Sequence, residues 1–142
     1  MASTSHVKWT GSVQDGTGQI DTGTGAFSVP YTAAGRFGDG GGTSPEELMA
    51  ASHASCFSMA LTLFMNNAGY EPESVETDAK VYLKKDGEGF TIHKIELETV
   101  ATVSGLEDEE FQKLAQGAKD NCPVSKALAS VNEITLDAKL AS

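Results

Sequence analysis

Apolar residues along the chain recur with two different periods, and the switches between them mark out the elements. Val7, Trp9 and Val13 alternate, a glycine-rich turn follows near Asp15 to Gly18, and Ile20 to Val29 continue, so the first thirty residues read as a strand hairpin. Gly23 and Gly25 leave the second strand little to pack, which predicts a bulge or an edge. Residues 30–44 carry five glycines and no period, a loop long enough to suspect function. A helix then starts sharply. Ser44 suits the N-cap, Pro45 the first helical position and Glu47 the third, a capping box that ties off two orphan backbone donors. Beyond it the run is apolar around most of its circumference until Gly69, so residues 45–68 are expected to form a central helix covered on several sides.

Between Val75 and Val103 the period is two: Val81 and Leu83, then Ile95, Leu97, Thr99, Ala101 and Val103, with Lys94, Glu96 and Glu98 facing the other way. Asp86 to Gly89 reads as the hairpin turn. Glu107 to Glu110 sit where a helix start favours anions, and Phe111, Leu114, Ala115 and Ala118 form the stripe of that helix. Pro123 opens a short helix to about Ser130, and Ile134, Leu136, Ala138 and Leu140 alternate as a last strand. Strands and helices alternate too irregularly for a doubly wound sheet, so the expected class is α+β with mainly antiparallel sheets.

At 142 residues and 39% apolar content the chain is one domain's worth, residues 1–142. A formal charge of −10 argues against a basic face for nucleic acid. The Leu48 to Met65 stretch is interrupted by Ser52, His53, Ser55, Ser58 and Thr62, which argues against a membrane span, and the N-terminus shows no apolar signal region. A cytoplasmic protein is expected, where two cysteines are more often free or catalytic than bridged.

Cys56 lies within the apolar helix, where burial alone would keep a thiol inert. Positive charge changes that picture. Nine of the ten cations are lysines, and the one arginine, Arg36, stands in the glycine loop twenty residues before Cys56. A planar, always-charged guanidinium suits a place where a thiolate and a polar substrate must both be held, and Glu46 is the nearby carboxylate to anchor it. Cys122 precedes Pro123 at a helix start, where backbone donors favour a thiolate. The two cysteines are 66 residues apart and can meet only by folding. His53, three residues before Cys56, could pair with it, although a buried histidine bonded elsewhere is the commoner outcome.

The segments TSPEELMAASHASCFSMAL (Thr43 to Leu61) and NCPVSKAL (Asn121 to Leu128) strongly resemble the OsmC/Ohr family of thiol-dependent hydroperoxide reductases, and GRFGDG resembles its OsmC branch. The resemblance implies an α+β fold with sheets packed around long central helices, in an intertwined homodimer with two sites at the interface. It implies reduction of organic hydroperoxides and, less efficiently, hydrogen peroxide, with no cofactor and no metal. Cys56 matches the peroxidatic cysteine, Cys122 the resolving one, and Arg36 and Glu46 the pair that activates the thiolate. A dithiol, such as a dihydrolipoyl protein, would return the electrons. The thiol of Cys56 is then expected well below the free value of about 8.5, and an apolar pocket is expected near Phe37, Phe57 and Met59. Ten residues of straight helix separate Glu46 from Cys56 by about 15 Å, so either the helix breaks or Glu46 serves the partner's cysteine. Two rivals are an acyl-transfer enzyme using Cys56 and His53, and a non-catalytic stress-related binding protein with an apolar cleft.

Overall fold

In the computed structural model, residues 1–38 and 40–141 are described; Asp39, within the GRFGDG segment, and Ser142 lie outside them. The chain divides into two units, Met1–Leu48 and Met49–Ser142.

The first unit is a three-stranded antiparallel sheet of β1 (Ser5–Thr10), β2 (Thr17–Thr22) and β3 (Ser28–Tyr31), in that order. The single long second strand expected from Ile20 to Val29 is broken in two. Gly25, at a φ of 76°, turns the chain between β2 and β3, so the glycines mark a turn rather than a bulge. Tyr31 leans on Trp9 with ring centroids 5.3 Å apart and lies over Gly18. A Cβ on Gly18 would run into that ring, so the close approach favours glycine there. The glycine loop is not wholly irregular: Thr32 caps a single turn, α1 (Ala33–Arg36), by accepting a hydrogen bond from the Gly35 N–H.

Helix α2 (Pro45–Asn67) runs unbroken from the first unit into the second. Ser44 caps it, accepting from the Glu47 N–H at 3.0 Å, but only half of the capping box forms. The Glu47 carboxylate accepts from the Thr43 hydroxyl instead. Within the chain the helix is covered along one stripe only, by His53, Phe57, Leu61 and Met65, each one turn beyond the last. Met59 and Leu63 on other faces remain 76% and 56% exposed, so the expected cover on several sides is absent from the single chain. By length and composition alone α2 could cross a bilayer, so the polar interruptions do not exclude a span. Its buried stripe nonetheless packs as the core helix of the second unit.

That unit is a sheet in the order β4 (Ser74–Asp86), β5 (Gly89–Thr102), β6 (Glu133–Leu140). The β4–β5 hairpin is antiparallel, with a register shift at Tyr82/Leu83. Strand β6 pairs parallel to β5, Leu97 opposite Leu136, so the sheet is mixed. Parallel pairing needs a long crossover, which α3 (Asp108–Asn121) and α4 (Pro123–Ala127) supply. Phe57, Leu61 and Met65 of α2 form one cluster with Leu97 and Ala101 of β5, Phe111, Ala115 and Ala118 of α3, and Cys122. Burying the large members from water stabilises the unit by about 1.5–3 kcal/mol each.

Candidate active site

Chain chemistry determines where Cys122 stands. The residue before a proline is pushed out of the helical region, and Pro123 cannot continue α3 because it lacks an N–H. Cys122 therefore ends α3, its own N–H bonding Ala118 O at 2.8 Å, and adopts φ −58° and ψ 124° at the start of α4. No oxygen caps α4. Cys122 stands at the N-cap without a side-chain cap bond, and the Ser125 and Val124 N–H groups and the Ser125 hydroxyl lie near enough to its sulfur to favour the thiolate.

Cys122 is fully buried and Cys56 half-buried; both are free thiols. The two lie close enough for each to perturb the other's ionisation, and Cys56 packs against the cluster that holds Cys122. Their acidities separate. Burial raises the Cys56 thiol, the Val124 N–H offsets part of that, and the Cys122 sulfur adds to the rise. Burial acts upward on Cys122 too, yet its backbone donors, Cys56 and the Ser125 hydroxyl together hold it below its ordinary value. The expected low value for Cys56 is therefore not met by the groups of its own unit. Cys122 is the more acidic thiol there, as its place at a helix start suggests.

Arg36 and Glu46 meet in the first unit. The guanidinium forks the carboxylate, Nη2 at 2.7 Å and Nε at 3.1 Å from Oε1, with Nε 3.2 Å from Oε2. Glu46 is nearly buried, whereas the arginine side chain keeps 40% of its surface exposed. One face is thus anchored while the rest remains free to reach an anion. Phe37 stacks near this guanidinium at 5.8 Å and is exposed.

His53 does not act on Cys56. It is fully buried, and its Nε2 is held by Ser125 Oγ at 2.7 Å. Ser125 went unnoticed in the sequence, although its spacing of three from Cys122 is the N-cap to N3 spacing and could have flagged it. Of the three residues expected to line an apolar pocket, Phe57 is sunk in the core of the second unit and Phe37 and Met59 are exposed; Met59 borders a surface cavity of about 460 Å³ with Leu63, Pro72 and Val75. Among the described residues no group of three or more histidines, cysteines and carboxylates is placed to hold a metal ion.

Residues 38–137 match the model of the family described as OsmC-like protein. Peroxiredoxin OsmC of Escherichia coli is 44% identical over 135 residues, covering 94% of this chain and 93% of that protein. Organic hydroperoxide resistance protein OhrB of Bacillus subtilis is 36% identical over 100 residues, 69% of this chain and 71% of that one. The crystal structure of an organic hydroperoxide resistance protein OsmC from Legionella pneumophila superposes with a TM-score of 0.71 at 26% identity, covering 98% of this chain and 97% of that one.

Proposed function

The chain belongs to the OsmC family, and from that premise we propose that Cys56 is the peroxidatic and Cys122 the resolving cysteine of a thiol-dependent peroxidase acting on organic hydroperoxides. The observation that carries this reading is the meeting of two sulfurs 66 residues apart in sequence, one reachable and the other buried against hydrogen-bond donors. The Cys56 thiolate attacks the outer peroxide oxygen, the O–O bond breaks, and the alkoxide leaves to take a proton. Cys56 is left as a sulfenic acid. The Cys122 thiolate attacks that sulfur and expels hydroxide, which leaves as water, and the disulfide so formed protects Cys56 from further oxidation. An external dithiol, such as a dihydrolipoyl group, reduces the bridge and becomes a disulfide itself.

The Arg36–Glu46 fork supplies the positive charge that Cys56 lacks within its own unit. Because α2 is unbroken, Glu46 and Cys56 of one chain stand about 15 Å apart along it. This favours a homodimer in which the fork of one chain serves the partner's cysteine. Two further features favour it: the bare apolar faces of α2, and a first unit in which, among the described residues, Ile20 is the one buried large apolar side chain while Val7 of β1 and Phe27 of the β2–β3 turn are exposed. The family match crosses the boundary between the two units, so residues 1–142 work as one domain in this reading, in the cytoplasm.

Counting thiols before and after stoichiometric cumene hydroperoxide tests the proposal. Loss of two thiols, abolished in Cys56→Ser, is expected. Unchanged counts in the unaltered chain would mean a binding protein, and ester hydrolysis without oxidation an acyl-transfer enzyme.

A further inference from the structure

One fully buried titratable side chain takes no part in the chemistry above. His53 stands on the core stripe of α2, where Phe57, Leu61 and Met65 fill the following turns with purely apolar groups. An imidazole there needs partners, and it has only one: Nε2 lies 2.7 Å from Ser125 Oγ, while Nδ1 is buried with none. An orphaned ring nitrogen is a standing cost that an apolar residue of similar size would avoid. Packing alone therefore leaves the histidine unexplained.

The direction of the hydrogen bonds supplies an account. Ser125, itself almost buried, has one hydroxyl proton, and the Cys122 sulfur is a second neighbour of that hydroxyl. A bare lone pair at Nδ1 is cheaper to bury than a bare N–H, so the proton belongs on Nε2. Nε2–H then donates to Ser125 Oγ, which frees the serine proton to donate to Cys122 Sγ. The opposite tautomer would bury an unpaired N–H and turn that proton away from the sulfur. Burial keeps the ring neutral, aided by the cation of Lys119 on α3, so the direction is held. The other groups facing Cys122 are Cys56 on α2 and the Val124 and Ser125 N–H groups on α4.

We propose that His53 and Ser125 are positioning residues for Cys122: the imidazole orients the serine hydroxyl, and the hydroxyl holds negative charge on that sulfur during the disulfide steps. This rests on the peroxidase reading for its role but not for its geometry. In bridge formation the relay favours the Cys122 thiolate, whose electron pair makes the S–S bond as hydroxide departs from Cys56 with the proton that completes water. In reduction it decides which sulfur is released. The external dithiol attacks the more exposed Cys56, the S–S electron pair passes to Cys122, and the Ser125 proton meets the charge that forms. The second thiolate of the reductant then attacks its own sulfur in the mixed disulfide and frees Cys56. A lower-pKa sulfur leaves faster, so the relay directs reductant to Cys56.

The test uses Cys56→Ser, in which Cys122 is the one thiol left and no peroxidase turnover is needed. Ultraviolet absorbance of the thiolate is followed against pH. Adding Ser125→Ala is expected to raise the midpoint by about one unit, His53→Leu to raise it in the same direction, and Ser125→Thr to restore it. Midpoints equal to the parent in both Ser125→Ala and His53→Leu would overturn the proposal. Nitrogen-15 spectra of the imidazole in the unaltered protein give a check free of substitutions: a proton on Nε2 is expected, and one on Nδ1 would contradict the relay. Should hydroperoxide fail to oxidise the protein, the peroxidase reading falls while both measurements still decide the relay.

Discussion

A thiol in an apolar helix is poorly ionised by default, and Cys56 obeys that rule within its own unit. What the chain holds ready is a fork fixed at one carboxylate, so the residue-scale claim is that Arg36 works as a pre-oriented anion ligand. Arg36→Lys keeps the charge but loses the fork, and kcat/KM for hydroperoxide is expected to fall about tenfold or more. Equal turnover in the lysine variant would show that charge alone suffices. Phe57 gives a stability counterpart. It is fully buried in the core cluster, and Phe57→Ala should cost about 3–5 kcal/mol in denaturant unfolding. Three of the four residues in these pairs stood out in the sequence because their chemistry is rare in it, one arginine and two cysteines, whereas Glu46, one of twenty acidic residues, stood out only by its nearness to Arg36. Ser125 was not, because a serine near a helix start has many ordinary reasons to be there.

Elements with strict periods were legible almost to the residue. Strand β5 buries Ile95, Leu97, Thr99 and Ala101 as its alternation requires, and α2 begins where Ser44 and Pro45 place it. Ser44→Ala removes that cap and should lower stability by about 1 kcal/mol, read from the denaturant midpoint at unchanged slope. The antiparallel pairs were legible, but the direction of the last strand was not. Period two fixes the face that a strand buries but not which neighbour it lies beside, so the parallel β5–β6 pair emerged only with the crossover through α3 and α4. The glycine loop misled for a different reason: a one-turn helix such as α1 is too short for any period to appear.

At the scale of the molecule, the uncovered faces of α2 are the feature that points beyond the single chain. An apolar run around most of the circumference reads as covered on several sides, and within the single chain the fully buried apolar positions of α2 fall on one stripe. In the proposed homodimer, Met59→Glu is expected to shift the chain towards monomer in sedimentation, and an unaltered chain that sediments as a monomer would contradict that arrangement. Mixing Arg36→Ala chains with Cys56→Ser chains should restore turnover through one complete site, whereas no recovery would mean that Arg36 serves its own chain. Acid stability follows from His53. Its folded pKa lies below the ordinary 6.5, so below about that pH the unfolded chain binds the proton first and stability falls as pH falls. His53→Leu should flatten that dependence in paired unfolding curves.

The sulfur chemistry itself is read most directly by the intact mass of the reduced protein after one equivalent of hydroperoxide. The unaltered chain is predicted to lose two hydrogens, Cys122→Ser to gain one oxygen on Cys56, and Cys56→Ser to stay unchanged. Oxygen appearing on Cys122 in Cys56→Ser, with Cys56 untouched in Cys122→Ser, would reverse the roles and contradict the account.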